Sequence, residues 1–592
     1  MATSDSLNKF APTGRTRHVD FIVGVPSAKR YARYPRLCGA TSLRGAIPIV
    51  HSTLRMRCRL CRLAQSVLGL LIIDMRRRYR HSLPLVLLSS AILTHSWTPA
   101  SAQDIPPMGP TTPIAAPGQQ AGNSMSIGTV RQPTLADPGW VAGVTLGELY
   151  TDNLKLSASG KPKQSSWITE IQPFLKAAYS GPRFSGLVDS SLTGYLYSGQ
   201  SRYDQLTPSL NALGRLTILP QHFFVDSTAR YGREVINNQL SAAPGSFYLS
   251  NNSANVAMWT LSPYWIQDLG NVGTASLRYS YGRVVYNTRG IPAQDGTLLS
   301  GIPDITSNAL QFTLASPKYE TWGWNLGYSE QRIEPDFGRS RDYAVAKLGG
   351  YVQVSNNTRL LIDAGKESNF LPDGTVDKLG ASFWDAGFVW ATGLNRLQAM
   401  VGHRFYGRTY QFSWARTAAL LTTTLSYVEQ PTDINQQLLE QNPGEVIASP
   451  PPGYSGLPSL REHQVYLMKR AMASADYDMP SGKLRVTLYD ERRTYLTLND
   501  RREKVANANV DWLFNIGALT TLAPTLGWQR YQFQDGEIRY RNYEELALVH
   551  QFNPKNFASL RLRHDSSNVH SASAAAQGYG ANMILLQCTH LF

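Results

Sequence analysis

The sequence has little charge, and it lacks any long amphipathic helix pattern. Charged residues make up 17% of its 592 residues, against roughly 25% in soluble domains. By length alone the chain could hold several soluble domains or one large closed sheet. What is present is 30 Tyr and 47 Gly, so the composition favours aromatic-rich strands joined by turns.

The excess of positive charge is confined to the front of the chain. The formal net charge is +15, but residues 1–102 contain 16 Lys and Arg and 3 Asp and Glu, whereas the remainder contains 41 and 39. A nucleic-acid surface needs a concentrated excess of basic side chains. We therefore expect no nucleic-acid partner.

Cysteine is nearly absent from the body of the chain. Cys38, Cys58 and Cys61 precede residue 103, and Cys588 is the one thiol after it, which excludes an internal disulfide there. Cys58 and Cys61 have the spacing of a zinc or redox half-site, but no second pair follows. We predict neither a metal nor a cofactor.

The three parts of a secretory signal peptide occur in order. They are a basic stretch from Met75, an apolar run from Leu83 to Trp97, and a small-x-small site at Ala100, Ser101 and Ala102. The apolar run is shorter than the about 20 residues of a spanning helix. We assign residues 75–102 to a signal peptide cleaved after Ala102.

Residues 1–74 precede this signal and need a separate explanation. The simplest is a non-native N-terminal extension, with the true start codon at Met75. The alternative is a cytoplasmic tail on a signal anchor, which would place Asp74 and the following arginines in hydrocarbon at high cost.

Residues 103–138 and the rest of the chain differ sharply in pattern. The former are rich in Pro, Gly, Thr and Gln, which cannot bury a core, and we interpret them as a disordered periplasmic linker. From about Gly139 the chain alternates apolar and polar residues in strand-length segments. Leu560 and Leu562, for example, alternate with charged neighbours.

The alternating segments predict an all-β fold. Short links such as 180–182 and 553–555 and long ones such as 234–254 and 430–462 separate them. Charges at this density suit a wet lumen, and a large sheet in hydrocarbon must close. We predict a closed antiparallel transmembrane outer-membrane β-barrel over residues 139–592, with about 20 strands (range 16 to 22).

The last segment has the features of a terminal barrel strand. Ile584, Leu586, Cys588 and the terminal Phe592 give it an apolar outward face, with His590 as the exception. Phe592 is the residue we expect the barrel-assembly machinery to recognise, in a barrel surrounded by outer-membrane lipid and lipopolysaccharide.

Two early segments carry a motif. It consists of Glu148, Tyr150, Thr151, Asp152 and Asn153, then Trp167, Thr169, Glu170 and Pro173. With the stretch from Asp490 to Tyr495 and the ending from Asn582, these residues resemble the PEP-CTERM-system-associated outer-membrane β-barrel family. Within its strand, Pro173 should mark a bulge or a missing ladder bond.

The resemblance runs from about residue 140 to the end of the chain. It implies an outer-membrane protein found beside exosortase and exopolysaccharide machinery, with a role in exporting polysaccharide or sorted proteins. It brings no catalytic residues. Polysaccharide and periplasmic export components are therefore the partners that it suggests.

Basic residues concentrate in the late strands and loops. They are Arg492, Arg493, Arg501, Arg502, Lys504, Arg539 and Arg541. One interpretation is that they are paired with Asp490, Glu491, Asp500, Glu503 and Glu544, with loop-tip residues meeting lipopolysaccharide phosphates. The other is a basic lumen constriction that favours anionic solutes.

No arrangement of residues predicts an enzyme. His564, Asp565 and Ser566 are adjacent on a strand, where neighbours point to opposite faces, so they cannot form a relay. The seven histidines after residue 102 lack a recognisable nucleophile motif. We interpret the His564 segment as a polar hairpin tip, with a surface metal site as the alternative.

Two functions follow from the barrel prediction. The first is a channel or export component with a polar lumen. The second is a non-conducting barrel that docks periplasmic exopolysaccharide or sorting components. The Pro-rich stretch 449–458 could be an extended loop or an inward constriction, and the sequence does not decide between them.

The cleavage site gives the first testable prediction. We expect the mature protein, isolated from outer membranes after expression of the full chain, to begin at Gln103. N-terminal sequencing measures this directly. A mature chain that begins at Met1 or Met75 would contradict it.

Overall fold

A computed structural model describes residues 133–592, apart from nine internal stretches. These are residues 239–244, 250–251, 288–301, 318–320, 372–373, 441–457, 461–463, 497–500 and 571–577. The predictions for residues 1–74, for the signal peptide with Ala100 and Ala102, and for most of the linker lie outside the described residues.

The described part of the chain forms 22 β-strands, numbered in chain order, and one α-helix. Strands β1 to β8 are Gly139–Thr151, Ser166–Ser180, Phe184–Tyr197, Gln205–Leu219, Phe223–Val235, Ser253–Asp268, Thr274–Asn287 and Ile305–Ala315. Strands β9 to β16 are Trp322–Pro335, Arg341–Ser355, Thr358–Phe370, Val376–Ala391, Asn395–Arg404, Gly407–Thr417, Leu421–Thr432 and Tyr466–Met479. Strands β17 to β22 are Gly482–Tyr495, Arg502–Gly517, Thr520–Gln532, Ile538–Asn553, Asn556–His570 and Tyr579–Leu591. Helix α1 is Ile434–Glu440.

The strands close into one sheet. Each pairs antiparallel with its chain neighbours, and β1 pairs with β22 as well as with β2. A sheet without free edges keeps its backbone donors and acceptors within reach of partners, as hydrocarbon requires. The predicted closed antiparallel barrel is confirmed, and 22 strands lie at the upper limit of the predicted range.

The two ends of the barrel differ in the length of their connections. At the short-turn end the links have two to six residues, such as 356–357 and 554–555. At the long-loop end they include 152–165, 236–252 and 433–465. Outer-membrane barrels have short periplasmic turns and longer extracellular loops, so the long-loop end faces outward from the cell.

Side chains alternate between the lumen and the outer surface. On β21 Leu560 and Leu562 are exposed on the outside, whereas Asp565 is buried on the inside, as the alternation predicted. On β1 the outward-facing Trp140 and Tyr150 are ten residues apart. A rise of about 3.4 Å per residue at a tilt of about 40° separates them by about 26 Å, the height of an outer-membrane apolar band. The barrel therefore lies in the bacterial outer membrane.

Among the described residues, no helix is long and apolar enough to cross a membrane. Helix α1 has seven residues, and it belongs to the connection between β15 and β16 at the long-loop end.

Pro173 interrupts one ladder of β2 without shifting it. Pairing with β3 passes from Ile171 opposite Gly194 to Phe174 opposite Ser191. The register is the same on both sides, so the proline removes ladder positions and inserts no extra residue. Of the two expected outcomes, a bulge or a missing bond, the structure shows the second.

The closing seam between β1 and β22 has a side-chain clasp at its long-loop end. The Asp152 carboxylate accepts hydrogen bonds from the backbone N–H of Asn582 at 2.7 Å and from its Nδ2 at 2.8 Å. Asn153 Nδ2 donates to the Gly580 carbonyl at 3.0 Å. Because these bonds connect the first and last strands, the clasp holds the barrel closed where its ladder ends.

The clasp gives a stability prediction. Replacing Asp152 with Ala removes two bonds to a carboxylate, and we expect a loss of about 1 to 3 kcal/mol in the free energy of unfolding. The temperature at which heat-modifiable gel mobility disappears should fall.

Lys163→Ala is the matched control. It removes the 3.6 Å ion pair that Lys163 makes with Asp152 and leaves the bonds to Asn582 intact. Exposed ion pairs contribute about 0 to 1 kcal/mol, so this variant should match the wild type. Equal transition temperatures for the wild type and D152A would contradict the clasp.

Candidate functional site

The lumen becomes closed toward the long-loop end. Along β17 the inward-facing Lys483, Arg485 and Tyr489 are half-buried. Further along the same face, Glu491 is 0% exposed and Arg493 is 1% exposed. A charged side chain on the wall of an open aqueous channel would be wetted, so this end of the lumen is covered by other parts of the chain.

One cover is helix α1, which crosses the lumen. It begins beside β15 but packs against β6 and β7, which lie nine and eight strands away in the ring of 22. Ile434 and Leu438 are buried with Val256, Val284 and Ile305 on that opposite wall. The apolar side of the helix therefore explains why the loop folds inward.

A polar latch, formed by Asp433, Asn435, Tyr343 and Tyr286, fixes the start of the helix. Asp433 Oδ1 accepts the backbone N–H of Asn435 at 2.8 Å, and its Oδ2 accepts the Tyr343 hydroxyl at 3.0 Å. The Tyr286 hydroxyl donates to Asn435 Oδ1 at 2.8 Å. Asp is favourable at this position because its oxygens satisfy the first free N–H groups of a helix.

The second cover is the β5–β6 loop, which packs on another part of the wall, around the seam between β1 and β22. Phe247 and Tyr248 are buried in a cluster with Leu149, Leu154 and Tyr579. Burial raises the pKa of the Tyr248 phenol well above its ordinary value. The phenol is therefore neutral, and the contact is mainly apolar.

The two inward loops also touch each other and the wall. The backbone N–H of Asn238, in the β5–β6 loop, donates to Ser459 Oγ of the β15–β16 loop at 3.0 Å. Arg541 Nη2 of β20 donates to the Asn238 carbonyl at 2.7 Å. Loops that share contacts in this way are expected to move together.

Beneath the loops is an ion network, buried except for the half-buried Arg470, which we call the loop-end network: Arg470, Glu491, Arg493, Glu503 and Tyr531. Arg470 Nε and Arg493 Nε lie 2.6 and 2.5 Å from the Glu491 carboxylate. Arg493 Nη1 donates to the Tyr531 hydroxyl at 2.6 Å, and that hydroxyl donates to Glu503 at 2.8 Å. Each cation has a carboxylate partner, so the network stabilises the wall and leaves little free charge for a solute.

The predicted basic cluster divides between the two faces of the sheet. Arg493, Arg539 and Arg541 are buried on the lumen side, and Arg501 lies 2.6 Å from Glu503. The outward-facing members are Arg492, Arg502 and Lys504. Because adjacent strand residues point to opposite faces, the seven residues do not form one constriction.

The family-like motif lies at the long-loop end of β1 and β2. On the outer face Thr169 Oγ1 donates to Glu148 at 2.8 Å, and the rings of Tyr150 and Trp167 are 5.1 Å apart. Inside, Glu170 accepts from Gln587 Nε2 at 3.2 Å.

The remaining members of the motif and the chain end also lie along the seam. Thr151 is buried and accepts the backbone N–H of Asn153 at 3.3 Å, next to the Asp152 clasp. The backbone N–H of Phe592 donates to the Ala142 carbonyl at 3.0 Å, which places the terminal residue beside the first strand.

Sequence reasoning did not find the latch. Asp433 follows a strand and precedes the short polar stretch Ile434–Glu440, which is a weak helix-start signal. Its partner Tyr343 is 90 residues away, and Tyr286 is 149 residues from its own partner, Asn435. Among the residues that the structure describes, no group of three or more His, Cys, Asp or Glu side chains could hold a metal ion.

No protein-family model matches the sequence, and no curated protein is similar to it. Similar solved structures include a mutant of the ferric enterobactin receptor PfeA from Pseudomonas aeruginosa, at 10% identity over 78% of this chain and 81% of that chain, with a TM-score of 0.41. The FrpB iron transporter from Neisseria meningitidis has 10% identity over 76% and 82%, with a TM-score of 0.42. The siderophore receptor PirA from Acinetobacter baumannii has 7% identity over 78% and 81%, with a TM-score of 0.40. A likeness of this degree carries no conclusion about a solute.

The loop-end network gives a second stability prediction. Glu491→Gln keeps the shape of the side chain but removes the carboxylate that the buried Arg493 and the half-buried Arg470 share. We expect a loss of about 3 kcal/mol in the free energy of unfolding, measured by urea unfolding with tryptophan fluorescence in detergent.

Glu544→Gln, on the exposed outer face of β20, is the matched control and should change stability by less than about 0.5 kcal/mol. Equal stability of E491Q and E544Q would show that the network contributes nothing measurable.

Proposed function

We propose that the protein is an outer-membrane channel or export component whose lumen opens when the inward loops leave the long-loop end. The supporting observation is the burial gradient along the wall. The inner face is polar and partly exposed toward the short-turn end, and it is closed at the other end by α1 and the β5–β6 loop. A latch built from hydrogen bonds can be released without breaking the barrel.

The solute that we propose is polysaccharide-related. Tyrosine hydroxyls, arginines and carboxylates on the inner wall suit the many hydroxyl groups of a sugar chain, and cations and anions along the wall are largely paired, as in Arg485–Asp476 and Lys176–Asp189. The resemblance to the PEP-CTERM-associated barrels supports a link to exopolysaccharide and sorting machinery. The passage requires no covalent chemistry, so we propose that the protein is not an enzyme.

The second candidate is a non-conducting barrel that docks periplasmic exopolysaccharide or sorting components. The complete burial of Glu491 and Arg493 favours this function, because a permanently covered lumen would conduct nothing. The two functions make opposite predictions for current through the purified protein.

Release of the latch tests the channel. Asp433→Ala removes the carboxylate bond to Tyr343, which ties the loop to the wall and contributes about 1.5 to 3 kcal/mol. We expect the open-to-closed ratio to rise about tenfold or more. Single-channel recording of the full chain in planar bilayers would measure it as an increased open fraction.

Asp478→Asn, at the short-turn end of β16 where the side chain is 60% exposed, is the control and should conduct like the wild type. If the wild type, D433A and D478N all show heat-modifiable mobility but none conducts, the channel function is wrong and the docking function is favoured. If D433A conducts no more than D478N, the latch does not control opening.

A further inference from the structure

A cationic patch lies on the outer surface of four adjacent strands at the long-loop end. The patch consists of Lys469 on β16, Arg492 on β17, Arg502 and Lys504 on β18, and Arg530 on β19. The acidic residues beside it on the same face are Glu429 and Asp490. The patch therefore has a surplus of three positive charges over this small area.

The strand register places three of these cations directly side by side. Arg492 is opposite Lys469 on one neighbouring strand and opposite Lys504 on the other. Like charges directly opposite each other destabilise a sheet. A row of three cations is therefore unfavourable in isolation and becomes favourable when an anion lies over it.

The partners within the chain neutralise the patch only in part. Lys469 lies 3.3 Å from Glu429. Arg492 lies 3.8 Å from Asp490, with side chains 65% and 52% exposed, and an exposed pair at this distance contributes little. The Nε of Arg530 is buried without a hydrogen-bond partner among the described residues.

The height of the patch matches the phosphate level of the outer leaflet. Two to four residues further toward the membrane, the same outward faces carry Leu488, Leu526 and Trp528, which are 50%, 52% and 39% exposed. Trp528 contacts Tyr540 at 6.4 Å between ring centroids, as in an interfacial aromatic belt. The cations thus begin where the apolar band ends.

We propose that this patch binds the lipid A phosphates of lipopolysaccharide. Arginine and lysine both bind phosphate oxygens strongly, arginine through paired N–H groups and lysine as a point charge. The lipid's acyl chains would lie along the apolar band below. The site holds one class of lipid on one side of the barrel and does not depend on whether the lumen conducts.

The test compares binding of purified lipopolysaccharide to the full-length protein and to the double variant Arg492→Gln/Lys504→Gln, by native mass spectrometry in detergent. We expect binding to weaken about tenfold or more, since each charged hydrogen bond contributes about 1.5 to 3 kcal/mol. The matched control is Lys366→Gln/Arg408→Gln, which removes two outward-facing cations from β11 and β14. It should bind like the wild type.

The wild type is also titrated with lipopolysaccharide whose phosphates have been removed and with inorganic phosphate alone. Weak binding of both would support the site. Equal binding of the dephosphorylated lipid, or equal losses in both double variants, would overturn it. Tight binding of free phosphate would show a general anion site and overturn the lipid assignment. Heat-modifiable mobility of both variants establishes that they are folded.

Discussion

The structure depends on the need of every strand backbone for hydrogen-bond partners in hydrocarbon. An open sheet of this size would leave two unpaired edges, and the pairing of β1 with β22 removes both. Closure then determines the rest of the architecture. It creates an inside and an outside, and the two-residue period of a strand assigns each side chain to one of them.

This period explains how much the sequence could predict. The barrel, its antiparallel order, the outward Leu560 and Leu562 and the two classes of connection all follow from local patterns. The arrangement of the basic cluster was harder to predict, because Arg492 and Arg493 are adjacent in the sequence but lie on opposite faces. Only the register with neighbouring strands shows which cations share a face.

The closure of the lumen could not be predicted, because it depends on contacts between distant segments. Helix α1 is too short for a strong periodic signal, and Asp433 meets Tyr343, which lies 90 residues earlier in the chain on β10. The Asn238 loop similarly meets Ser459 from another loop. Local patterns contain no information about which wall an inward loop will reach, so the latch required the structure.

The seam has a consequence for the order in which the protein is made. Asp152 and Asn582 are 430 residues apart, so the first strand cannot find its final partner until the last strand has been synthesised. Contacts this distant form slowly and after local hairpins. Until then both edges remain exposed to mispairing with other chains, so the two ends of the chain together decide when that exposure ends.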